Sequence, residues 1–202
     1  MKNFLFILFL LPVISHCQTD SEFVFQNSIE VDWDEYYCIN ESYCFFLDLD
    51  TSDDQVTMYY SLRKNGNKQT LEIMDISGLT YGSDLNIYKN KTDNSYIVIW
   101  KRESEFAPSF YVYYIKKGIL KRIGEWGITE PCDTCDTGDY SIENIRIYQR
   151  DNEIEFSFLA DANFVIFKED YHYDDLGTFE AGELKISFNT VDGLLKVIEK
   201  VK

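Results

Sequence analysis

Histidine, proline and glycine are all scarce in this 202-residue chain, which has 2 His, 3 Pro and 10 Gly. The low Gly and Pro content excludes collagen-like repeats and low-complexity disorder. His16 lies in an apolar N-terminal stretch, so a Ser-His-Asp or Cys-His mechanism in the remaining chain has to run through His172. No G-x-S-x-G, H-E-x-x-H, P-loop or dinucleotide fingerprint occurs, which removes the usual motif support for hydrolase and cofactor chemistry. Basic residues are outnumbered, with 19 Lys+Arg against 35 Asp+Glu and a net charge of −16. That balance disfavours nucleic acid and anionic membranes, and suits solubility or a basic partner. Beyond residue 17 no apolar window approaches the roughly 20 residues of a transmembrane helix.

What is present begins with MKNFLFILFLLPVISHC, residues 1–17, which has Lys2, an apolar run from Phe4 to Ile14, and then small and polar residues. The run is too short to span a bilayer and reads as a signal peptide. The expected organisation is a leader over 1–17 followed by one all-β domain over 18–202 of an exported protein, periplasmic, cell-surface or secreted. Removal of the leader takes away Lys2 and moves the charge from −16 to −17. Ser15 and Cys17 favour simple cleavage after Cys17. The alternative is a lipid anchor on Cys17 itself, since Ile14-Ser15-His16-Cys17 resembles a bacterial lipobox apart from His16.

Four cysteines remain, Cys38, Cys44, Cys132 and Cys135. An even set in an exported chain points to disulfides, with three connectivities open. Cys132-Asp133-Thr134-Cys135 also admits a redox or zinc reading. Its acidic, turn-rich surroundings oppose thiolate formation, and the spacing to Cys38 and Cys44 matches no established zinc motif.

Period-two alternation dominates the rest. Val56, Met58, Tyr60 and Leu62 share one face, as do Ile154, Phe156 and Phe158, and Leu184, Ile186 and Phe188. Residues 96–100 and 110–115 are apolar on both faces, as expected of central strands buried on two sides. Turn signals at 64–67, 90–94, 116–118 and 150–152 separate the runs. Residues 28–40 have the composition of a short helix, 170–181 read as an acidic loop, and 194–201 read as a strand. The expected fold is a single antiparallel β-sandwich or barrel-like meander of roughly ten to twelve short strands.

Three acidic loops carry candidate ligands. Asp170, His172 and Asp174 share one face of an extended segment, a donor set suited to zinc. Asp48, Asp50 and Asp53 suggest calcium, although Asp53 stands where an EF-hand needs Gly and Tyr59 where it needs Glu. The third loop holds Asp133, Asp136 and Asp139. For each, a solvated polar turn is the simpler reading, and no cofactor is expected beyond a structural calcium or zinc. Glu153 with Glu155, and Glu103 with Glu105, are spaced for paired-carboxylate chemistry, as chance alone provides in so acidic a chain.

The aromatic load is 15 Tyr, 15 Phe and 3 Trp. Trp33, Tyr59, Tyr111, Tyr113 and Trp126 are candidates for exposed stacking or hot-spot residues. Asn40-Glu41-Ser42 and Asn90-Lys91-Thr92 are glycosylation sequons. The leading expectation is a non-catalytic exported binding protein whose acidic surface engages a basic protein, inhibitor-like or immunity-like. The alternatives are a carbohydrate-binding β-sandwich recognising an extracellular glycan, and a carboxylate- or metal-dependent hydrolase.

Overall fold

The computed structural model describes residues 20–30, 36–40, 43–50, 57–64, 70–75, 83–102, 109–131, 138–167 and 173–199. In chain order the strands are β1 (Ser21–Glu30), β2 (Tyr36–Asn40), β3 (Tyr43–Asp50), β4 (Thr57–Lys64), β5 (Thr70–Asp75), β6 (Ser83–Asn90), β7 (Tyr96–Arg102) and β8 (Ser109–Lys116). They continue as β9 (Ile119–Glu130), β10 (Gly138–Asp139), β11 (Ile145–Arg150), β12 (Glu153–Phe158), β13 (Ala162–Phe167), β14 (Tyr173–Phe179), β15 (Leu184–Asn189) and β16 (Leu195–Glu199). One 3-10 turn, Ile142–Asn144, precedes β11.

The all-β expectation holds. Eleven strands form one curled antiparallel sheet, a half-barrel in the order β14-β13-β9-β8-β7-β6-β1-β11-β12-β15-β16, with β10 paired to β9. A second sheet runs β2-β3-β4-β5. Local hairpins follow the turn chemistry. Lys117 and Gly118 both take positive φ, 51° and 79°, in the two-residue turn between β8 and β9, as a hairpin matching strand twist requires. A Cβ on Gly118 would lie 2.5 Å from the Tyr43 hydroxyl of the second sheet, so a side chain there would have to displace the Tyr43 ring as well as adopt positive φ.

The order is not a simple meander, because β1 lies between β6 and β11 and joins two hairpin systems. Nor does 28–40 form a helix among the described residues. Residues 28–30 continue β1, with Ser28, Ile29 and Glu30 opposite Asn86, Leu85 and Asp84, and 36–40 form β2. Ladder pairing with a distant strand outweighs weak helical composition. Residues 173–179 of the expected acidic loop are instead β14, an edge strand paired with β13 and broken by a bulge near Gly177. Acidic residues and a bulge are the features that keep an edge from pairing further.

Alternation divides the core into two clusters. Ile97, Ile99, Phe110, Val112, Trp126, Phe156, Phe164 and Phe188 belong to the half-barrel interior. Leu85, Ile87, Val98, Trp100, Tyr113 and Ile115 project from the other face onto Phe45 of the second sheet. Residues 96–100 and 110–115 are therefore buried on both faces, which explains their unbroken apolar sequence.

Charged contacts define one end of the half-barrel, where the β6–β7, β8–β9, β11–β12 and β15–β16 hairpins gather around Asp20. Lys116 pairs with Asp93 at 3.1 Å, Arg150 with Asp20 at 3.3 Å, and Lys91 with Glu22. Thr190 donates its backbone N–H to the Asn152 carbonyl at 2.7 Å. Burial pushes the Asp93 carboxyl up, but hydrogen bonds from Ser95 and Lys116 and the Lys116 charge hold it below its ordinary value.

Within this end, Asn90 is 3% exposed and acts as a hub. Its Oδ1 accepts from Ser21 Oγ at 2.5 Å, Thr92 N at 2.8 Å and Thr92 Oγ1 at 2.9 Å, while its Nδ2 donates to Gln149 Oε1 at 3.1 Å. The sequon reading at Asn90 is thereby corrected, since the atom that would carry a glycan is enclosed and already bonded. Asn90→Ala is expected to cost about 2–3 kcal/mol, because it strands several part-buried donors at once. Urea unfolding checks this, and an unchanged midpoint would refute it.

Candidate functional site

The opposite end of the half-barrel is formed by the 3-10 turn, residues 159–161 and residues 180–183. They are tied together by Leu159 N to the Asn144 carbonyl at 2.8 Å, Gly182 N to the Phe158 carbonyl at 2.7 Å, and Ala181 N to Asp161 Oδ1 at 2.8 Å. A cleft of about 600 Å³ opens here, between β1 beyond its bulge, the start of β6, the end of β7 and residues 140–143. The bulge between Phe25 and Asn27 leaves Phe25 43% exposed at the cleft. Its ring meets Tyr88 edge-on, with centroids 5.4 Å apart.

Two tyrosines fix the far wall. Tyr88 donates its hydroxyl to the Ile142 carbonyl at 3.0 Å. Tyr140, 1% exposed, donates to the Ala160 carbonyl at 3.4 Å and accepts from Ala160 N at 3.3 Å. Burial pushes both phenols above their ordinary values, so they remain neutral donors that position the turn. Asn86 is 2% exposed and donates Nδ2 to the Ile99 carbonyl at 3.4 Å. Asp84, Glu143 and Lys101 supply the charges of the lining. Around the same end stand Asp161, Glu180 and Glu183, with Arg146 beside Glu143, so carboxylates outnumber the cations Lys101 and Arg146 among these groups. The arrangement combines an exposed aromatic ring with carboxylates and a buried amide, a set that can take up a cationic side chain by ion pairing and cation–π contact.

The residues singled out from sequence are dispersed. Cys38 and Cys44 are opposed across β2 and β3 with Cα atoms 3.8 Å apart, at disulfide distance. Cys132 and Cys135 lie outside the described residues. Asp48 and Asp50 belong to β3, opposite Tyr59 and Thr57 of β4, rather than to a ligand loop. Asp53, Asp170, His172 and Trp33 lie outside the described residues, and Asp174 is in β14 opposite Ile166. Among the described residues no three His, Cys, Asp or Glu side chains gather as a metal site. Glu155 of the Glu153/Glu155 pair is engaged by Lys185 Nζ at 2.9 Å. Glu103 and Glu105 lie outside the described residues.

Tyr113 and Trp126 are core residues, 3% and 1% exposed, which corrects their candidacy for surface stacking. Strand alternation directs one to each face of a sheet covered on both sides. Tyr111 lies beside Trp100 at 5.1 Å, and Arg122 stands over its ring at 4.9 Å. Phe25, Asp84, Asn86 and Glu143 were not singled out, because separate segments contribute them. The one sequence signal was Asn86, a polar residue between the apolar Leu85 and Ile87.

Among the described residues no helix is long and apolar enough to cross a membrane. Comparison with known proteins finds no family model, curated protein or solved structure that matches this chain.

Proposed function

We propose that this chain is an exported, non-catalytic binding protein whose cleft end engages a basic protein, as an inhibitor or immunity-like factor would. The observation that carries this reading is the exposed Phe25 ring lining the same cleft as the carboxylates of Asp84 and Glu143. An arginine side chain entering the cleft gains a carboxylate partner and an aromatic face together. The surrounding negative field speeds encounter and selects against acidic partners. Export rests on the N-terminal leader, and the cross-strand cysteine pair suits an oxidising compartment.

A hexa-arginine peptide is the first probe. The expected result is saturable binding that weakens steeply between low and physiological ionic strength. The double variant Asp84→Lys, Glu143→Lys is expected to lower affinity by about thirtyfold, equivalent to about 2 kcal/mol. Association unaffected by salt, or equal affinity in the variant, would sink the proposal. A sugar is the second reading, favoured by the same exposed ring beside the Asn86 amide. Glycan-array binding lost in Phe25→Ala and insensitive to salt would support it instead.

A further inference from the structure

The hairpin end differs from the cleft end in two ways that bear on what it faces. Its tips expose large aliphatic side chains, with Ile119 70%, Val191 73% and Leu194 56% accessible. Lys121 gathers them onto one surface. Rooted in β9 beside the Ile119 hairpin, it reaches over the Phe188 ring at 5.1 Å, and its Nζ would lie 2.8 Å from a Cβ on Gly193. The charge here also cancels, although the whole chain carries −16. Lys91, Lys116 and Arg150 pair with Glu22, Asp93 and Asp20, and Lys117, Lys121 and Lys196 are matched in number by Asp151, Glu153 and Asp192. The acidity that disfavours a lipid surface is therefore not a property of this end.

The chain also enters the fold at this end, through Asp20 and Ser21. Cys17, where the apolar leader finishes, precedes Ser21 by four positions, a reach of at most about 14 Å. A lipid anchor on Cys17, the second processing route of the leader, would hold the hairpin tips against the bilayer. The cleft, whose β1 wall runs from Phe25 to Ser28, stands roughly 13–23 Å further out.

We propose that the hairpin end is a lipid-facing surface, with Ile119, Val191 and Leu194 seated in the headgroup region of a phospholipid bilayer. Lys117 and Lys121 extend their ammonium groups to lipid phosphates. The basic-partner cleft would then face away from the membrane, and neither proposal depends on the other.

The test is carboxylate footprinting of the full chain, leader included in the gene, produced in an exporting bacterial host and purified. Labelling with carbodiimide and glycine ethyl ester is compared with and without phosphatidylcholine–phosphatidylglycerol vesicles. The expected result is a several-fold drop at Asp151 and Asp192 with vesicles, and no change at Asp161 and Glu180. The surface double variant Ile119→Asp, Val191→Asp should keep the parent melting temperature and lose this protection. Equal labelling with and without vesicles overturns the proposal, as does protection that survives in the double variant. Protection already present without vesicles and lost on dilution also overturns it, by assigning the surface to a second copy of the chain.

Discussion

Trp126→Ala is expected to remove about 3–5 kcal/mol of stability, the cost of truncating a large aromatic in a packed core. At about 2–4 °C per kcal/mol for a chain of this size, the melting temperature falls by about 6–20 °C. The indole of Trp126 meets Phe156 edge-on at 5.4 Å and lies 6.4 Å from Phe164, so it bridges β9 to strands on both sides of the half-barrel interior. The space it fills is reserved by Gly124, where a Cβ would collide with the indole ring. Trp126→Phe serves as the internal control. The indole Nε1 is buried with no hydrogen-bond partner among the described residues, so removing it relieves an unpaired donor and offsets part of the lost volume. Thermal unfolding of the two variants separates the effects, and an equal loss in both would mean that volume is not what Trp126 contributes.

Phe45→Ala is expected to cost a similar 3–5 kcal/mol but with a different distribution. Phe45, on β3, is fully buried and clusters with Leu85, Val98 and Tyr113 from the outer face of the half-barrel. Its removal weakens the docking of the β2–β5 sheet while leaving the interior cluster around Trp126 and Phe156 unchanged. Hydrogen exchange should show faster amide exchange in β3 and β4, and retained protection in β11, β12 and β15. Uniform loss of protection across both sheets would show that they unfold as one unit.

The strands and many of their turns were legible because local chemistry decides them. Ile154, Phe156 and Phe158 alternate with polar residues and are buried, as the period requires. The Lys117-Gly118 hairpin follows from Gly118, which takes positive φ without a Cβ penalty. Two-sided burial of 96–100 and 110–115 was readable from their apolar runs, although not what would cover each face. The reading failed where pairing overrides composition. β1 enters between β6 and β11, partners distant in sequence, and β14 forms from an acidic segment with little strand character because the adjacent β13 supplies its ladder.

The cleft was almost invisible for the same reason. Phe25 is exposed by a bulge, Asp84 and Asn86 come from β6, and Glu143 from a 3-10 turn held by Tyr88 and Tyr140. None of these residues is part of a recognisable motif, and only the curl of the sheet gathers them. Aromatic candidates chosen by type alone, Tyr113 and Trp126, are core, since composition carries no information about which face of a covered sheet a residue occupies. The amino-acid sequence by itself determined the fold class, the acidic charge, the apolar N-terminal run and the alternation that builds each strand, all properties of neighbouring residues. Tertiary structure alone decided the strand order, the pairing of Cys38 with Cys44, the enclosure of Asn90 and the segregation of an acidic cleft from a neutral hairpin end. Apart from the Cys38–Cys44 pair, six positions apart across one hairpin, those depend on contacts between residues far apart in the chain, which local patterning does not encode.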